Sequence, residues 1–268
     1  MSKTAKQKTA TGDGKAGSAA PAVDRAIALM ELLESRPQHA FPLSDIARSL
    51  GIPKSTAFNV CNAMVAGQLL RKTQNGYQLG RRLVQLGSAY VSSIDIVREF
   101  YEVSRQIDSE LGAMIQLAVL DEGINAVYLA RQDCSSGLRL GLRAEIGRRV
   151  PANCTAAGKA LLASLPEDDL ARRLAVIHSL PTLTTKSISS TDKLLKELGA
   201  IRKQGYSGED EEVLRGVCCV ARATSTNHRE DGLLAVSITA MKDTLTPARK
   251  KLIQKTLSTL VDDLQQRL

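Results

Sequence analysis

No two cysteines of this 268-residue chain stand in Cys-x-x-Cys spacing, and the five present, Cys61, Cys134, Cys154, Cys218 and Cys219, are odd in number. That spacing argues against a disulfide framework and against a structural zinc site. The three histidines, His39, His178 and His228, stand apart from one another and from the cysteines. Neither a metal centre nor a cofactor is therefore expected. No apolar run reaches the roughly 20 residues that span a bilayer, and residues 1–20 lack the apolar segment of a signal peptide. The expectation is a cytoplasmic protein without membrane contact. No internal repeat is visible.

What the chain does have is apolar content and unevenly placed charge. Hydrophobic residues make up 43% of it, enough for one small and one larger domain with their own cores. Of the net charge of +8, residues 1–20 carry +3 and residues 21–90 a further +4, which leaves +1 for the rest. A basic front and a near-neutral back put polyanion binding at the N-terminal end. Residues 1–20, rich in Lys, Thr, Ala and Gly, have too few apolar groups to fold and read as a disordered basic tail.

Between Leu43 and Leu79 two short amphipathic helices are followed by a basic hairpin. The first helix begins at Ser44, the expected N-cap, and carries Ile46, Ala47 and Leu50 on one side. Gly51 supplies the left-handed residue of a tight turn, Ile52 plugs the angle, and Pro53 marks the start of the second helix. That helix runs to about Ala66, with Gly67 as its stop, and Ala57, Val60, Cys61 and Met64 form its core face. Lys54, Ser55, Thr56, Asn59 and Asn62 then point outward, as the base-reading side chains of a recognition helix do. Asn59 matches the geometry of a bidentate contact to adenine. Asn75-Gly76 between two short alternating runs is a strong hairpin signal. In that wing Arg71 and Lys72 lie where a phosphate backbone would pass.

Upstream, Val23 to Ser35 reads as a helix with Val23, Ile27, Met30 and Leu33 inward, followed by a loop over Arg36 to Pro42. Downstream, Arg81 to Ser93 reads as a connecting helix and Ile96 to Leu111 as another. The pattern then changes to strands: Ile115 to Leu120 paired with Ile124 to Ala130, an alternating Leu138, Leu140, Leu142 strand, and a central pair over Val217 to Ala223 and Leu233 to Met241. Helices are expected over Thr155 to Leu165, Glu167 to Ile177, Thr191 to Gln204 with Thr191 as cap, and from Thr246-Pro247 through Leu252, Ile253, Leu257, Leu260 and Leu264. The sum is an α+β chain with an antiparallel-rich sheet. The acidic run Glu209 to Glu212 has no His or Asp at ligand spacing around it and reads as a solvated loop.

Four blocks give the chain a resemblance to a known family. They are Ala22-Val23-Asp24-Arg25-Ala26, Pro53-Lys54-Ser55-Thr56-Ala57, Ala157-Gly158-Lys159-Ala160-Leu161-Leu162-Ala163, and Gly205-Tyr206-Ser207 with Glu211-Glu212 and Gly216. Together they resemble the IclR family of bacterial transcriptional regulators over nearly everything after residue 20. The resemblance implies an N-terminal winged helix-turn-helix domain, a linker helix used in dimerisation, and a C-terminal GAF-like effector domain. It also implies a homodimer or dimer of dimers, double-stranded DNA operators with two-fold symmetry, and a small organic acid as effector. Carried over position by position, the effector pocket involves Val150, Ala156, Ala157, Glu209, Cys219, Ser237 and Thr239, with Arg143, Arg148 or Arg149 adding charge compensation. Glu209 stands where a shorter acid is expected, and Phe58-Asn59 where a longer basic or aromatic pair is usual. Small residues at a helix start leave N–H groups open to a carboxylate, and Ser237 and Thr239 share one side of a strand.

The expected organisation is a tail over 1–20, a winged domain over 21–80, a linker helix over 81–100 and an effector domain over 101–268. The function expected from it is a promoter-binding regulator, not an enzyme, controlled by a small organic acid, with aromatic acids among the candidates. Two alternatives stay open at this point. One is an architectural DNA-binding protein without ligand, and the other an enzyme with Cys154 or Cys219 as nucleophile.

Overall fold

The structure, a computed structural model, describes residues 20–107, 111–134, 146–225 and 232–268. The expected basic tail, the Leu138 to Leu142 strand and Arg143 lie outside these residues. The chain divides into two compact units, Met1–Tyr90 and Val91–Leu268.

The smaller unit packs α1 (Pro21–Glu34), α2 (Leu43–Ser49) and α3 (Lys54–Ala66) with the hairpin β1 (Leu70–Thr73) and β2 (Gly76–Leu79). Its core joins Leu29 and Leu33, Phe41, Ile46 and Ala47, Ala57, Cys61 and Met64, Leu70 and Tyr77. Ala57, Cys61 and Met64 recur at helical spacing and are buried as the pattern predicts, whereas Val60 is half-buried. On α1 the inward stripe is Leu29 and Leu33, while the expected inward residues Val23 and Ile27 stay 55% and 47% exposed.

Several boundaries differ from expectation by one or two residues, each for a local reason. Pro42, not Ser44, precedes α2, and the Ser44 hydroxyl turns to Asp45 Oδ1 at 3.5 Å. Pro53 sits just before α3 in an extended conformation, and Gly67 closes that helix in a right-handed conformation, with Gln68 taking the positive φ of 61°. In the hairpin, Thr73 pairs with Gly76, so Gln74-Asn75 is the two-residue loop and Gly76 opens β2. Gly76 is needed for a different reason from turn chemistry. Its φ is +138°, and Phe41 and Tyr77 exchange backbone hydrogen bonds of 3.0 and 2.9 Å across it. A Cβ there would lie 2.2 Å from the Phe41 carbonyl oxygen.

Helix α4 (Arg82–Ser93) spans the division between the units and buries none of its residues, leaving Val84, Leu86 and Tyr90 exposed. The larger unit is α+β. Its six-stranded antiparallel sheet contains β3 (Ala113–Leu120), β4 (Asn125–Cys134), β5 (Arg149–Pro151), β6 (Ser207–Asp210), β7 (Val217–Ser225) and β8 (Leu233–Met241). They run in the order β5-β4-β3-β8-β7-β6. The short edge strands β5 and β6 carry too few alternating positions to be read from sequence.

Period-two alternation sorts the strand residues between two faces. One face carries Ile115, Leu117, Val236 and Ile238 and packs on α5 (Asp95–Ser104) and α9 (Pro247–Arg267) through Phe100, Ile253, Leu257, Leu260 and Leu264. Leu252, on α9 beside Ile253, is 52% exposed. The opposite face carries Ala118, Ala221 and Ala235 and packs on α6 (Ala156–Ser164). These small side chains let the helix approach the sheet closely. On its outer side α6 is covered by α7 (Glu167–Ala175) and α8 (Thr191–Gln204) through Leu162, Leu170, Leu194 and Leu198. Thr155 caps α6 by accepting the Gly158 N–H at 2.9 Å, and Ser190, rather than the expected Thr191, caps α8 by accepting the Lys193 N–H. Among the described residues, no helix is long and apolar enough to cross a membrane.

The close contact at Gly76 generates a stability test. Gly76→Ala should destabilise the chain by about 2–4 kcal/mol, because both the positive φ and the Phe41 backbone oppose it. Gly87→Ala, in α4 with open space around its Cβ position, should be neutral or stabilising by about 0.5–1 kcal/mol. Urea denaturation of the two variants measures the contrast, and equal stabilities would contradict it.

Candidate functional site

Two candidate sites emerge, one in each unit. In the smaller unit Lys54, Ser55, Asn59 and Asn62 are exposed along one side of α3, and Thr56 is partly exposed. Phe58 stands exposed on the same helix. Arg71 and Lys72 are exposed on β1, opposite Gln78 and Tyr77, while Leu70 and Tyr77 turn into the core. The six residues expected to read DNA thus all lie on accessible helix and wing surface. Their side chains offer short hydrogen-bonding groups on the helix and cations on the wing, the division of labour between base edges and phosphates.

In the larger unit the sheet register builds a cavity. Met114, Thr239, Cys219 and Glu209 are directly paired neighbours on β3, β8, β7 and β6, and all four line it. The cavity is about 60 Å3, and its walls also include Gln116, Tyr128, Arg148, Val150, Thr155, Ala156, Val213 and Val217. Of the seven expected effector residues, it gathers Val150, Ala156, Glu209, Cys219 and Thr239. Ala157 and Ser237 are buried but do not line it. Ser237 shares the sheet face of Thr239 but stands one row further along, paired with Gln116 and Ala221. Arg149 points elsewhere, 3.8 Å from Asp121. Glu209 and Cys219 also border an open cleft of about 660 Å3 that Asp210, Lys242 and Lys250 help to line.

Sequence reasoning missed Gln116 and Lys159. Each is a lone polar residue in an apolar stretch, Ala113 to Leu120 and Ala156 to Ala163, and that mismatch was the available signal. Lys159 is 1% exposed and its Nζ lies 2.7 Å from Glu212 Oε1. The acidic run Glu209 to Glu212 is accordingly no solvated loop, contrary to the expectation from its composition. Glu209 is 5% exposed, and its Oε1 accepts the N–H groups of Glu212 at 2.5 Å and Val213 at 3.1 Å. Glu211 pairs with Lys186 and with Lys242 and accepts the Gly216 N–H at 2.8 Å. The Thr184 and Ser187 hydroxyls donate to the Glu211 and Glu212 carbonyls at 2.8 and 2.7 Å. No cluster of metal-ligating side chains occurs among the described residues.

These contacts set the titration of the loop in opposite directions. Burial pushes the Glu209 carboxyl up to about 7, outweighing its two backbone N–H partners. Hydrogen bonds from Lys186 and Lys242 hold Glu211 down at about 2. Burial also raises the Cys219 thiol to about 12 and lifts Cys154 above the ordinary thiol range.

Residues 22–74 match the model of the IclR helix-turn-helix domain, and residues 88–266 match that of the bacterial transcriptional regulator IclR C-terminal domain. The chain belongs to the IclR family. Membership makes it a bacterial transcriptional regulator with a helix-turn-helix DNA-binding domain and a ligand-binding C-terminal domain. The HTH-type transcriptional regulator XynR of Escherichia coli K12 is 30% identical over 221 residues, covering 82% of this chain and 85% of that one. A transcriptional regulator from Rhodococcus sp. RHA1 shares the fold with a TM-score of 0.74 at 25% identity, over 91% of this chain and 96% of its own. An IclR homologue from Microbacterium hydrocarbonoxydans, crystallised with 4-hydroxybenzoate, superposes with a TM-score of 0.68 at 20% identity, over 91% of this chain and 98% of its own.

The raised Glu209 carboxyl gives this IclR-family protein a specific pH dependence. Between the ordinary carboxylate range and about 7, the folded chain holds a proton that the unfolded chain has lost. The associated stability is complete in acid and is lost as pH rises through the folded value. Relative to Glu209→Gln, the wild type should lose on the order of 2 kcal/mol between about pH 5 and pH 8. Urea denaturation across that range measures it. A difference that does not change with pH would contradict the assignment.

Proposed function

We propose that the chain is a sequence-specific regulator whose operator binding is controlled by a small organic acid bound in the cavity beside α6. The observation that carries the DNA half is the exposed polar face of α3 next to the basic hairpin. On this reading Lys54, Ser55, Thr56 and Asn59 enter the major groove, and Arg71 and Lys72 hold the flanking phosphates. A homodimer, alone or paired into a dimer of dimers, presents two such helices to a two-fold symmetric operator with half-sites about 34 Å or a multiple apart. The exposed Val84, Leu86 and Tyr90 of α4 fit a second copy as partner. The protein acts in the cytoplasm, where operator DNA lies.

For the effector half, Val150, Ala156, Glu209, Cys219 and Thr239 supply the walls, and Arg148 supplies positive charge. Cavities that admit a benzene ring are on the order of 150 Å3. An aromatic acid such as the one held by the Microbacterium homologue therefore binds here with displacement of the Glu209 wall toward the open cleft. An acid bound beside Glu209 favours that carboxyl in its neutral form, which then donates a hydrogen bond instead of repelling the ligand. The effector changes operator affinity only through its unequal affinity for the DNA-competent and DNA-incompetent states. Catalysis by Cys154 or Cys219 does not fit this reading, since a nucleophilic thiol needs a lowered pKa and burial raises both. An architectural role without ligand leaves the built cavity without a purpose.

Operator selection from a random duplex pool, followed by affinity measurements at several salt concentrations, tests the proposal. Asn59→Ala should cost about 1–3 kcal/mol and relax the preference at one base pair. Arg71→Ala and Lys72→Ala should each flatten the slope of log affinity against log salt by about 0.9 without altering sequence preference. Unchanged affinity in all of these variants would mean that another surface reads the DNA.

A further inference from the structure

Gln116 is the one strongly polar side chain on β3, and it is buried in the cavity wall with 3% exposure. Its Oε1 accepts the Thr239 hydroxyl at 3.4 Å. The same hydroxyl has Cys219 Sγ at 3.2 Å as its other acceptor. The amide is placed with its oxygen toward the hydroxyl. Among the described residues its Nε2 has no hydrogen-bond partner. A buried N–H2 without an acceptor is a cost that native interiors avoid unless something else satisfies it.

The surroundings say what would satisfy it. Ala156 lines the same cavity at the first turn of α6, a nine-residue helix whose opening N–H groups have no intrahelical acceptor. Thr155 Oγ1 is directed to the Gly158 N–H. Arg148 adds a cation to the lining. On the far wall Glu209 Oε1 accepts two backbone N–H groups. The end of the cavity at Gln116, Ala156 and Arg148 is thus set with donors, complementary to an anion.

We propose that Gln116 is the specificity-determining donor of the effector site: its Nε2 donates to a carboxylate oxygen of the bound acid, beside the α6 N-terminus and Arg148. The inference rests on the effector reading of the cavity and names the side chain that recognises the carboxylate. In the free protein the amide is held ready without an acceptor, so stability is lower than the fold allows.

The test uses the full chain, Gln116→Met and Gln116→Glu, with 4-hydroxybenzoate, benzoate and acetate as probes. Without ligand, Gln116→Met should melt about 2–4 °C above wild type, because it removes the partnerless donor at similar volume. It should bind any acid that the wild type binds about tenfold or more weakly, and Gln116→Glu should not bind it measurably. Calorimetry and thermal shift read both. If Gln116→Met binds the acids as tightly as wild type, or melts lower, the role of Gln116 is overturned while the cavity remains the effector site. If no probe affects the wild type at all, the effector reading itself fails and takes this inference with it.

Discussion

One buried ammonium organises the effector unit. Lys159 Nζ, withdrawn from water inside α6, meets Glu212 Oε1 at 2.7 Å, and Glu197 stands 4.0 Å away on α8. A buried pair of this kind brings little net stability, because desolvation of two charges offsets their attraction. What it supplies is position. With Glu212 anchored, its own N–H and that of Val213 fall on Glu209 Oε1, and Glu209 becomes a wall of the cavity. The loop is closed on its other side by Glu211 between Lys186 and Lys242. Gly158 makes the arrangement possible, since a Cβ there would lie 2.3 Å from Ala152 Cα and push α6 off its seat.

From this constraint the chemistry of the site follows. Donors gather at the α6 end of the cavity and a buried, titratable carboxyl at the other. The same loop borders the open cleft through Glu209 and Glu212. Any displacement of this loop changes both cavities together.

Much of the fold was legible because period and punctuation agree over long stretches. Ala57, Cys61 and Met64 on α3, the β3–β4 and β7–β8 hairpins, and the Gly205 stop of α8 with φ +80° all follow local rules. Misreadings came where tertiary contacts decide. Asn75-Gly76 looked like the turn itself, but Gly76 pairs with Thr73 in the ladder, and Phe41 bonds the next residue, Tyr77, so the loop lies one residue earlier. Val23 and Ile27 had the right spacing, yet they stay exposed among the described residues. Of the seven positions carried over from the family resemblance, five line the cavity, and Gln116 was not among the seven. The acidic run could not be read locally, because Lys159, Lys186 and Lys242 are separated from their partners by 53, 25 and 31 residues.

The most direct measurement of the central claim is hydrogen–deuterium exchange over the segment from Glu209 to Gly216 in wild type and Lys159→Met. If the buried pair positions the loop, the amides of Glu212 and Val213 are protected in wild type and exchange much faster in the variant, while the segments of β3 and β8 keep their protection. Equal protection of that segment in both proteins would contradict the account, because the loop would then hold its place without Lys159.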